Sequence, residues 1–204
     1  MTFENLITEV QFLTKDEGYF DYIPGYINAI YIKSCLDAKF PELKTIATVD
    51  TTVSQMTTSL SKTFGQIKPL DKTIKYYDNL DTMIEGLDTE ALAETGAVQR
   101  CCTMGSLLWY WPTPITAQTL TFLGYAAPEP LTANDEPLYI PELLQYRILV
   151  HGASKYVFAK IEDGIDGQKV NTLWSEDEYK KGMLDLFAHI GRNRNHITSS
   201  VWRV

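Results

Sequence analysis

The sequence predicts an α+β protein: a helical bundle formed by N- and C-terminal helix pairs, with an inserted small antiparallel β-sandwich or barrel lobe. Apolar residues at both ends of the chain recur at spacings of three and four, as along one face of an amphipathic helix. The middle of the chain is rich in Thr and other β-branched residues, in short runs separated by turn-forming residues, as in strands. Hydrophobic residues make up 45% of the 204 residues, which is enough for a buried core.

Two helices are predicted at the start of the chain. The first covers residues 2–13 and has Thr2 available as its N-cap. The second covers residues 21–40, with Pro24 near its first turn and Pro41 just beyond its end. Each has an apolar face, so we expect both to pack against other helices.

Five to seven short strands are predicted next, because β-branched and aromatic runs alternate with Gly, Pro, Asn and Asp. The candidate strands cover residues 45–53, 55–60, 67–70, 72–77, 97–103, 106–111 and 118–125. One or two helical turns are predicted within residues 89–95. Since no long crossover helix lies between the strands, we expect a small antiparallel sandwich or barrel.

A long helix is predicted from Pro141 to Ile161, with Pro141 at its first position. Two adjoining apolar stripes, which start at Leu143 and Leu144, give this helix a wide apolar surface and indicate a central position. Gly152 lies in the second stripe, and its lack of a side chain predicts the close approach of another helix.

The last helix is predicted to begin at a capping box that starts at Ser175 and to end at Gly191. The first and last helix pairs are expected to pack together, with the strands between them as a separate lobe. The predicted domains are a helical bundle of residues 1–42 and 138–191, an inserted β lobe with its connecting loop at 43–137, and an extended C-terminal tail at 192–204.

The composition excludes several classes of protein. There are 26 acidic and 18 basic residues, and the formal net charge of −8 disfavours binding to nucleic-acid phosphates. No apolar run approaches the about 20 residues of a membrane span, so no membrane partner is predicted. The three cysteines, Cys35, Cys101 and Cys102, have no CxxC spacing and are expected to be reduced and buried. On a strand, the last two would point to opposite faces.

The usual carriers of catalytic chemistry are absent from the sequence. It contains no GxSxG, HExxH, GxxxxGK[ST] or GxGxxG motif. The acidic linker from Glu162 to Asp166 lacks the spacing and terminal Glu of a calcium loop. The three histidines, His151, His189 and His196, have no metal-ligand spacing. We therefore predict that the protein is not an enzyme and has no catalytic, cofactor-binding or metal-binding residues.

The aromatic run Trp109-Tyr110-Trp111 leaves two interpretations open. Exposed rings would form a stacking platform, as in a small hydrolase or a glycan-binding module with a deep pocket at Trp109 or Trp111. On a strand, however, Tyr110 points away from the two tryptophans, so that one set fills a core and the other fills a core or a subunit contact.

Four segments carry a resemblance to a known family: LLWYWPTP at 107–114, QTLTFLGYAAP at 118–128, LTANDEP at 131–137 and IPE at 140–142. These segments contain, in order, a strand that ends in Pro-x-Pro, a second strand that runs into a proline loop, an acidic Asp-Glu-Pro stretch and a helix that starts with Pro-Glu. In this, the sequence resembles the head-to-tail adaptor, or connector ring, proteins of tailed bacteriophages. The opening helix pair and the Thr-rich strands are similar to that family's layout.

The resemblance implies a structural virion protein in the neck of a phage, assembled in the cytoplasm of the host bacterium. Such a protein forms a homo-oligomeric ring of twelve copies between the portal protein and a stopper or tail protein, and DNA passes through its lumen without specific binding. An acidic channel surface suits the passage of DNA, because it provides no sites that bind the phosphates. A tail completion protein, one layer lower in the particle, is the alternative within the same context.

Two groups of residues are candidates for contacts in such a ring. Tyr146, Val150 and Tyr156 on the long helix are the predicted subunit contacts. The predicted docking residues for the portal lie in the tail and are Arg192, Arg194, Ile197, Val201, Trp202, Arg203 and Val204.

Overall fold

The chain forms two compact units, a helical unit of Met1–Phe40 and Pro128–Val204 and a β unit of Pro41–Ala127. The predicted α+β class is confirmed. The connecting loop of residues 128–137, which the sequence analysis assigned to the β lobe, belongs to the helical unit. The computed structural model describes residues 1–163 and 169–200, with the backbone alone at positions 65, 66 and 192–200.

The helices of the described residues follow the predicted pattern, with one addition. They are α1 (Phe3–Thr14), α2 (Ile23–Ala38), α3 (Leu80–Ile84), α4 (Thr89–Leu92), α5 (Glu142–Gln145), α6 (His151–Ile161) and α7 (Val170–Ser200). Helix α1 begins as predicted, because the Thr2 hydroxyl accepts a hydrogen bond from the backbone N–H of Asn5. Helix α3 was not predicted, although its N-cap Asn79 is a residue type typical of that position.

The helical unit has an aliphatic core. Residues from four of its helical segments are fully buried there: Leu6, Ile27, Ile30, Ile148 and Leu186. Complete burial of one such side chain stabilises the fold by about 1.5–3 kcal/mol relative to its exposure. This core accounts for the predicted bundle of early and late helices.

The long helix is divided by a π-helical segment, Tyr146–Val150, between α5 and α6. A π turn accommodates one more residue than an α turn, so the face before it is rotated relative to the face after it. Leu143, which the periodicity placed on a buried stripe, is therefore 94% exposed. Pro141 is the N-cap and lies outside the helix, which begins at Glu142.

Gly152 permits the close approach that the sequence predicted. A Cβ atom at this position would lie 2.8 Å from Cγ2 of Ile30 on α2 and 3.1 Å from Cδ2 of Tyr179 on α7. Gly182 on α7 has the same role, since its Cβ would lie 2.9 Å from Cβ of Arg147 and 2.9 Å from Cγ1 of Ile148. Four helical segments, α2, the π segment, α6 and α7, thus meet at two glycines.

The predicted bounds of the last helix were wrong at both ends. Helix α7 begins at Val170, because the Glu162 carboxylate accepts hydrogen bonds from the first-turn N–H groups of Asn171 (3.0 Å) and Thr172 (3.1 Å). Ser175 is buried inside the helix and is not its cap. Gly191 faces open space and the helix continues to Ser200, since glycine in a helix costs only about 1 kcal/mol relative to alanine. Residues 192–200 are therefore helical, and the prediction of an extended tail was wrong for them.

The β unit contains the predicted strands in two sheets. They are β1 (Lys44–Asp50), β2 (Thr57–Ser59), β3 (Phe64–Pro69), β4 (Lys75–Tyr77), β5 (Arg100–Met104), β6 (Leu107–Trp111) and β7 (Thr119–Ala126). One sheet has the order β1-β7-β3 and the other the order β2-β6-β5-β4. Each described sheet is open, so the barrel alternative was wrong.

One strand pair departs from the predicted antiparallel pairing. Strand β4 pairs with β5 in parallel, in the register Tyr76 to Cys101. A parallel pair needs a crossover connection. Residues 78–99, which include α3 and α4, provide it.

The two sheets enclose a shared core, as a sandwich does. Leu108 and Tyr110 of one sheet pack with Ile67, Leu120 and Phe122 of the other. The hydroxyl of fully buried Tyr110 accepts a hydrogen bond from the Thr52 N–H (2.9 Å) and donates one to the Thr57 carbonyl (3.0 Å). The central aromatic residue of the run is therefore a core residue whose polar end is satisfied.

Neighbouring positions on β5 and β6 alternate between two cores, as predicted for strands. Cys101 lies in the sandwich core, whereas Cys102 lies with Trp111 and Met83 in a second cluster, against which Trp109 packs. The indole N–H of Trp111 donates to the Ala91 carbonyl (2.9 Å). Burial raises the pKa of the Cys101 thiol to about 12, with a further contribution from Cys102, so this thiol stays protonated.

Candidate interaction surface

A series of four aromatic rings crosses the surface of the helical unit, and we call Tyr19, Tyr22, Tyr26 and Tyr156 the tyrosine ladder. Tyr19 and Tyr22 belong to a 3₁₀ turn, Glu17–Tyr22, and their ring centroids are 6.4 Å apart. Tyr22 and Tyr26 are four residues apart and stack at 6.5 Å. Tyr26 stacks on Tyr156 at 5.4 Å with an angle of 26° between the rings. The ladder therefore links α2 to α6.

The ladder combines rigid packing with exposure. Tyr22 is 59% exposed and Tyr156 is 38% exposed. The Lys155 ammonium lies 5.1 Å from the ring centre of Tyr156 and 4.6 Å from that of Tyr179, which are cation–π distances. Burial lowers the pKa of Lys155. Tyrosines held by their neighbours lose little conformational entropy on contact with a partner, and they are enriched in protein interfaces.

A second aromatic group surrounds His151, where the π segment passes into α6. The His151 ring contacts Tyr146 edge to face at 5.3 Å and Trp174 at 4.7 Å. His151 is 4% exposed, and its Nδ1 atom has no hydrogen-bond partner among the described residues. Burial lowers the pKa of His151, Arg147 lowers it further, and Glu178 opposes both effects. The imidazole is therefore held neutral.

This lowered pKa predicts a loss of stability in mildly acidic solution. The unfolded state binds a proton at His151 below a pKa of about 6.5, whereas the folded state resists protonation. The free energy of unfolding should therefore fall as the pH drops below that value. We expect His151→Phe to reduce this loss, because phenylalanine keeps the ring contacts and cannot be protonated.

Urea unfolding of each variant at pH 7.5 and pH 5.5 measures the effect. The exposed His189 on α7 provides the control, and His189→Gln should retain the full loss of the parent chain. An equal loss in His151→Phe and the parent would contradict the prediction.

The proline-rich loop of residues 128–141 is fixed to two helices. The Asn28 amide Nδ2 donates to the Leu131 carbonyl (3.1 Å), and the Leu131 N–H donates back to Asn28 Oδ1 (2.7 Å). The N–H of Phe3 in the first turn of α1 donates to the Asp135 carbonyl (2.8 Å). The loop thus satisfies a donor that the helix leaves unpaired.

Gln145 of α5 links the start of the chain to the end of the same loop. The Met1 ammonium donates to Gln145 Oε1 (2.9 Å), and the Gln145 amide Nε2 donates to the Ile140 carbonyl (3.0 Å). Beside the loop lies a cleft of about 440 Å³, lined by Tyr31 and the loop residues. Burial raises the pKa of Tyr31, so its phenol is neutral.

The predicted subunit-contact residues have different positions. Tyr146 and Tyr156 are each 38% exposed, and Tyr156 belongs to the tyrosine ladder. Val150 is fully buried within the chain, so its side chain has no surface for another copy. The predicted docking residues of the tail lie outside the residues whose side chains are described. Tyr19, Tyr22 and Tyr26 were not predicted as contact residues, although their spacings of three and four indicate one helical face.

Among the described residues, no cluster of three His, Cys, Asp or Glu side chains is arranged to hold a metal ion. The largely buried Trp111 and the partly buried Trp109 pack in the second β cluster, and neither lines either of two clefts described in the β unit, one beside Leu70 and one beside Lys44. In the part of the chain that the structure describes, no helix has the length and hydropathy of a membrane span.

A comparison with known families decides the class of protein. Residues 1–201 match the family model described as SU10 adaptor protein. The chain belongs to the SU10 adaptor protein family. No curated protein matches the chain. The match covers the helices, the β unit and the loop of residues 128–141, and it confirms the resemblance to phage adaptors on which the sequence analysis relied.

Proposed function

We propose that this member of the SU10 adaptor family is a non-enzymatic head-to-tail adaptor. In this proposal, twelve copies form a ring in the phage neck between the portal protein and the stopper or tail protein, and DNA passes through the ring. The family match over almost the whole chain is the observation that carries the proposal. Assembly takes place in the host cytoplasm, and the ring remains in the virion as a passage for genome ejection.

The charge of the chain supports the passage of DNA. The formal net charge is −8, and the aspartates and glutamates outnumber the lysines and arginines by 26 to 18. A lumen lined by carboxylates repels phosphates and gives the duplex no fixed position. DNA can then slide without specific contacts.

The exposed tyrosines support the ring contact. A closed ring needs a heterologous interface, in which two different surfaces of neighbouring copies meet. The tyrosine ladder offers one such surface, because Tyr22 and Tyr156 are exposed while their neighbours hold their rings in place. We assign the ladder and Tyr146 to the contact between neighbouring copies; Val150 is buried within its own chain and takes no part in that contact.

The end of the chain is the proposed contact with the portal. Residues 192–204 contain Arg192, Arg194, Arg203 and Trp202, and arginine and tryptophan are frequent among the residues that dominate binding energy. Residues 192–200 of this segment form the C-terminal end of α7, and we assign the portal contact to that end of the helix and the residues that follow it.

The test uses the full chain and a chain shortened by residues 192–204, each mixed with its cognate portal protein. We expect the full chain to bind as a ring with the symmetry of the portal, visible by cryo-electron microscopy, and the shortened chain to lose that binding. Binding by the shortened chain at full strength would overturn the assignment of the tail. A ring bound only to tail proteins would make the chain a tail completion protein.

A further inference from the structure

Four strand edges border the two sheets of the β unit, and three of them are protected against pairing with another strand. Strands β2 and β4 have three residues each, too few for a stable added strand. Strand β3 has a register shift between Phe64 and Gln66 and ends in Pro69. Short length, bulges and proline are the features that natural proteins use to block edges. The remaining edge, β1, has none of them.

Strand β1 is long, regular and exposed. It pairs with β7 over seven consecutive residues without a bulge. Its five central residues, Thr45-Ile46-Ala47-Thr48-Val49, carry no charge and no proline, and the Ile46 side chain is 63% exposed. Such an edge is a template for another strand.

The hydrogen-bonding groups on the free edge follow from the pairing with β7. The Thr51 N–H donates to the Gln118 carbonyl (2.9 Å). Thr51 and Gln118, which directly follow the Asp50–Thr119 pair at the end of the β1–β7 pairing, are therefore a hydrogen-bonded pair. Hydrogen-bonded pairs alternate along an antiparallel ladder, so residues 45, 47 and 49 also bond to β7. The N–H and C=O groups of Lys44, Ile46, Thr48 and Asp50 then point to the free edge. On β3 the same argument directs Pro69, which has no N–H, outward.

The sequence of β1 is complementary to itself in one antiparallel register. When Ala47 faces Ala47 of a second copy, Lys44 of each copy lies opposite Asp50 of the other. Ile46 then lies opposite Thr48. All four of these residues have their backbone groups on the free edge, so the opposed pairs are hydrogen-bonded pairs. At each end of the paired strands, Lys44 of one copy therefore faces Asp50 of the other, and opposite charges that face each other across two strands are favourable.

We propose that two free copies of this chain pair through β1 in this register. The pair joins two three-stranded sheets into one six-stranded antiparallel sheet with the order β3-β7-β1-β1-β7-β3. A two-fold contact is complete with two copies and cannot generate a ring. The pairing is therefore separate from the proposed ring contact at the tyrosine ladder, and it describes the chain before assembly.

Charge reversal tests both the partner and the register. Lys44→Glu alone places two acidic residues opposite each other at both ends of the ladder, and Asp50→Lys alone places two lysines there. Each variant should have a dimer dissociation constant larger than that of the parent chain by on the order of tenfold, measured by sedimentation equilibrium. An equimolar mixture of the two variants restores opposite charges at both ends, and it should form heterodimers with the affinity of the parent chain.

Two further variants keep the test independent of the Asp50 side chain, which also accepts a hydrogen bond from Thr119. Thr48→Pro removes an outward N–H without affecting the bonds to β7 and should abolish the dimer. Ala47→Cys places two thiols opposite each other in a non-hydrogen-bonded pair, with Cα atoms about 4.5 Å apart, close enough for a disulfide. The native cysteines Cys35, Cys101 and Cys102 are buried, so they provide little background.

We expect mild oxidation to link Ala47→Cys into a covalent dimer and to leave Ser106→Cys, on the exposed turn between β5 and β6, as a monomer. A parent chain that is monomeric at every concentration would overturn the proposal and would leave the edge to a strand of another protein. A mixture of the charge variants that associates no better than each variant alone would also overturn it.

Discussion

Replacing Gly182 by alanine is expected to destabilise the helical unit by about 1–2 kcal/mol. The added Cβ would lie 2.9 Å from both Cβ of Arg147 and Cγ1 of Ile148, and Arg147 Cβ is attached directly to the backbone of the π segment. Helix α7 must therefore move away from that segment, and overpacking of this kind costs about 1–3 kcal/mol. The gain of about 0.5–1 kcal/mol from removing a helical glycine offsets part of this cost.

The same helix provides a matched control at Gly191. Nothing lies within 4 Å of a Cβ at this position, so Gly191→Ala should stabilise the protein by about 0.5–1 kcal/mol. Urea unfolding monitored by circular dichroism measures both changes. The two substitutions are chemically identical and differ only in what surrounds the added methyl group. Similar midpoints for the two variants would show that α7 does not pack closely on the π segment.

Replacing Tyr22 by alanine is expected to prevent ring assembly on the portal and to leave the isolated chain folded. Tyr22 is 59% exposed and contacts the rings of Tyr19 and Tyr26, so its removal should lower the free energy of unfolding by less than about 1 kcal/mol. At an interface, by contrast, loss of a central tyrosine costs about 2 kcal/mol or more in each contact. That cost recurs at every contact around a ring. Tyr156→Ala should act in the same way.

Phe12 on α1 is the control for this prediction. It is a large aromatic residue that is 72% exposed and lies outside the tyrosine ladder. Phe12→Ala removes a similar apolar area and should assemble like the parent chain. Electron microscopy of portal complexes gives the fraction of complete rings, and thermal unfolding checks each isolated variant. Normal rings from Tyr22→Ala and Tyr156→Ala would exclude the ladder from the subunit contact.

Local sequence patterns were sufficient for most secondary structure. The apolar periodicity of residues 2–13 and 21–40 corresponds to α1 and α2, and the seven runs of β-branched and aromatic residues correspond to the seven strands. The alternation of Cys101 with Cys102 and of Tyr110 with its tryptophan neighbours also follows from the two-residue period of a strand. These features depend on residues near each other in sequence, whose geometry the backbone determines.

Features that depend on distant residues could not be predicted in this way. Helix α7 starts five residues before its apparent capping box, because Glu162, on the other side of the linker, caps it. The parallel pairing of β4 with β5 depends on a crossover of two short helices, only one of which has a clear sequence signal. The exposure of Leu143 depends on a π turn that no periodicity indicated.

The sequence by itself determined the α+β class, the positions of most elements and, through residues 107–142, the resemblance to phage adaptors that the family match confirms. Only the tertiary structure decided which tyrosines form a surface. Tyr26 and Tyr156 stack although they are far apart in the chain, because the two close approaches at Gly152 and Gly182 draw α2, α6, α7 and the π segment together. A surface made by packed helices depends on contacts between segments that are distant in the chain, and the local patterns of one sequence do not predict which segments meet.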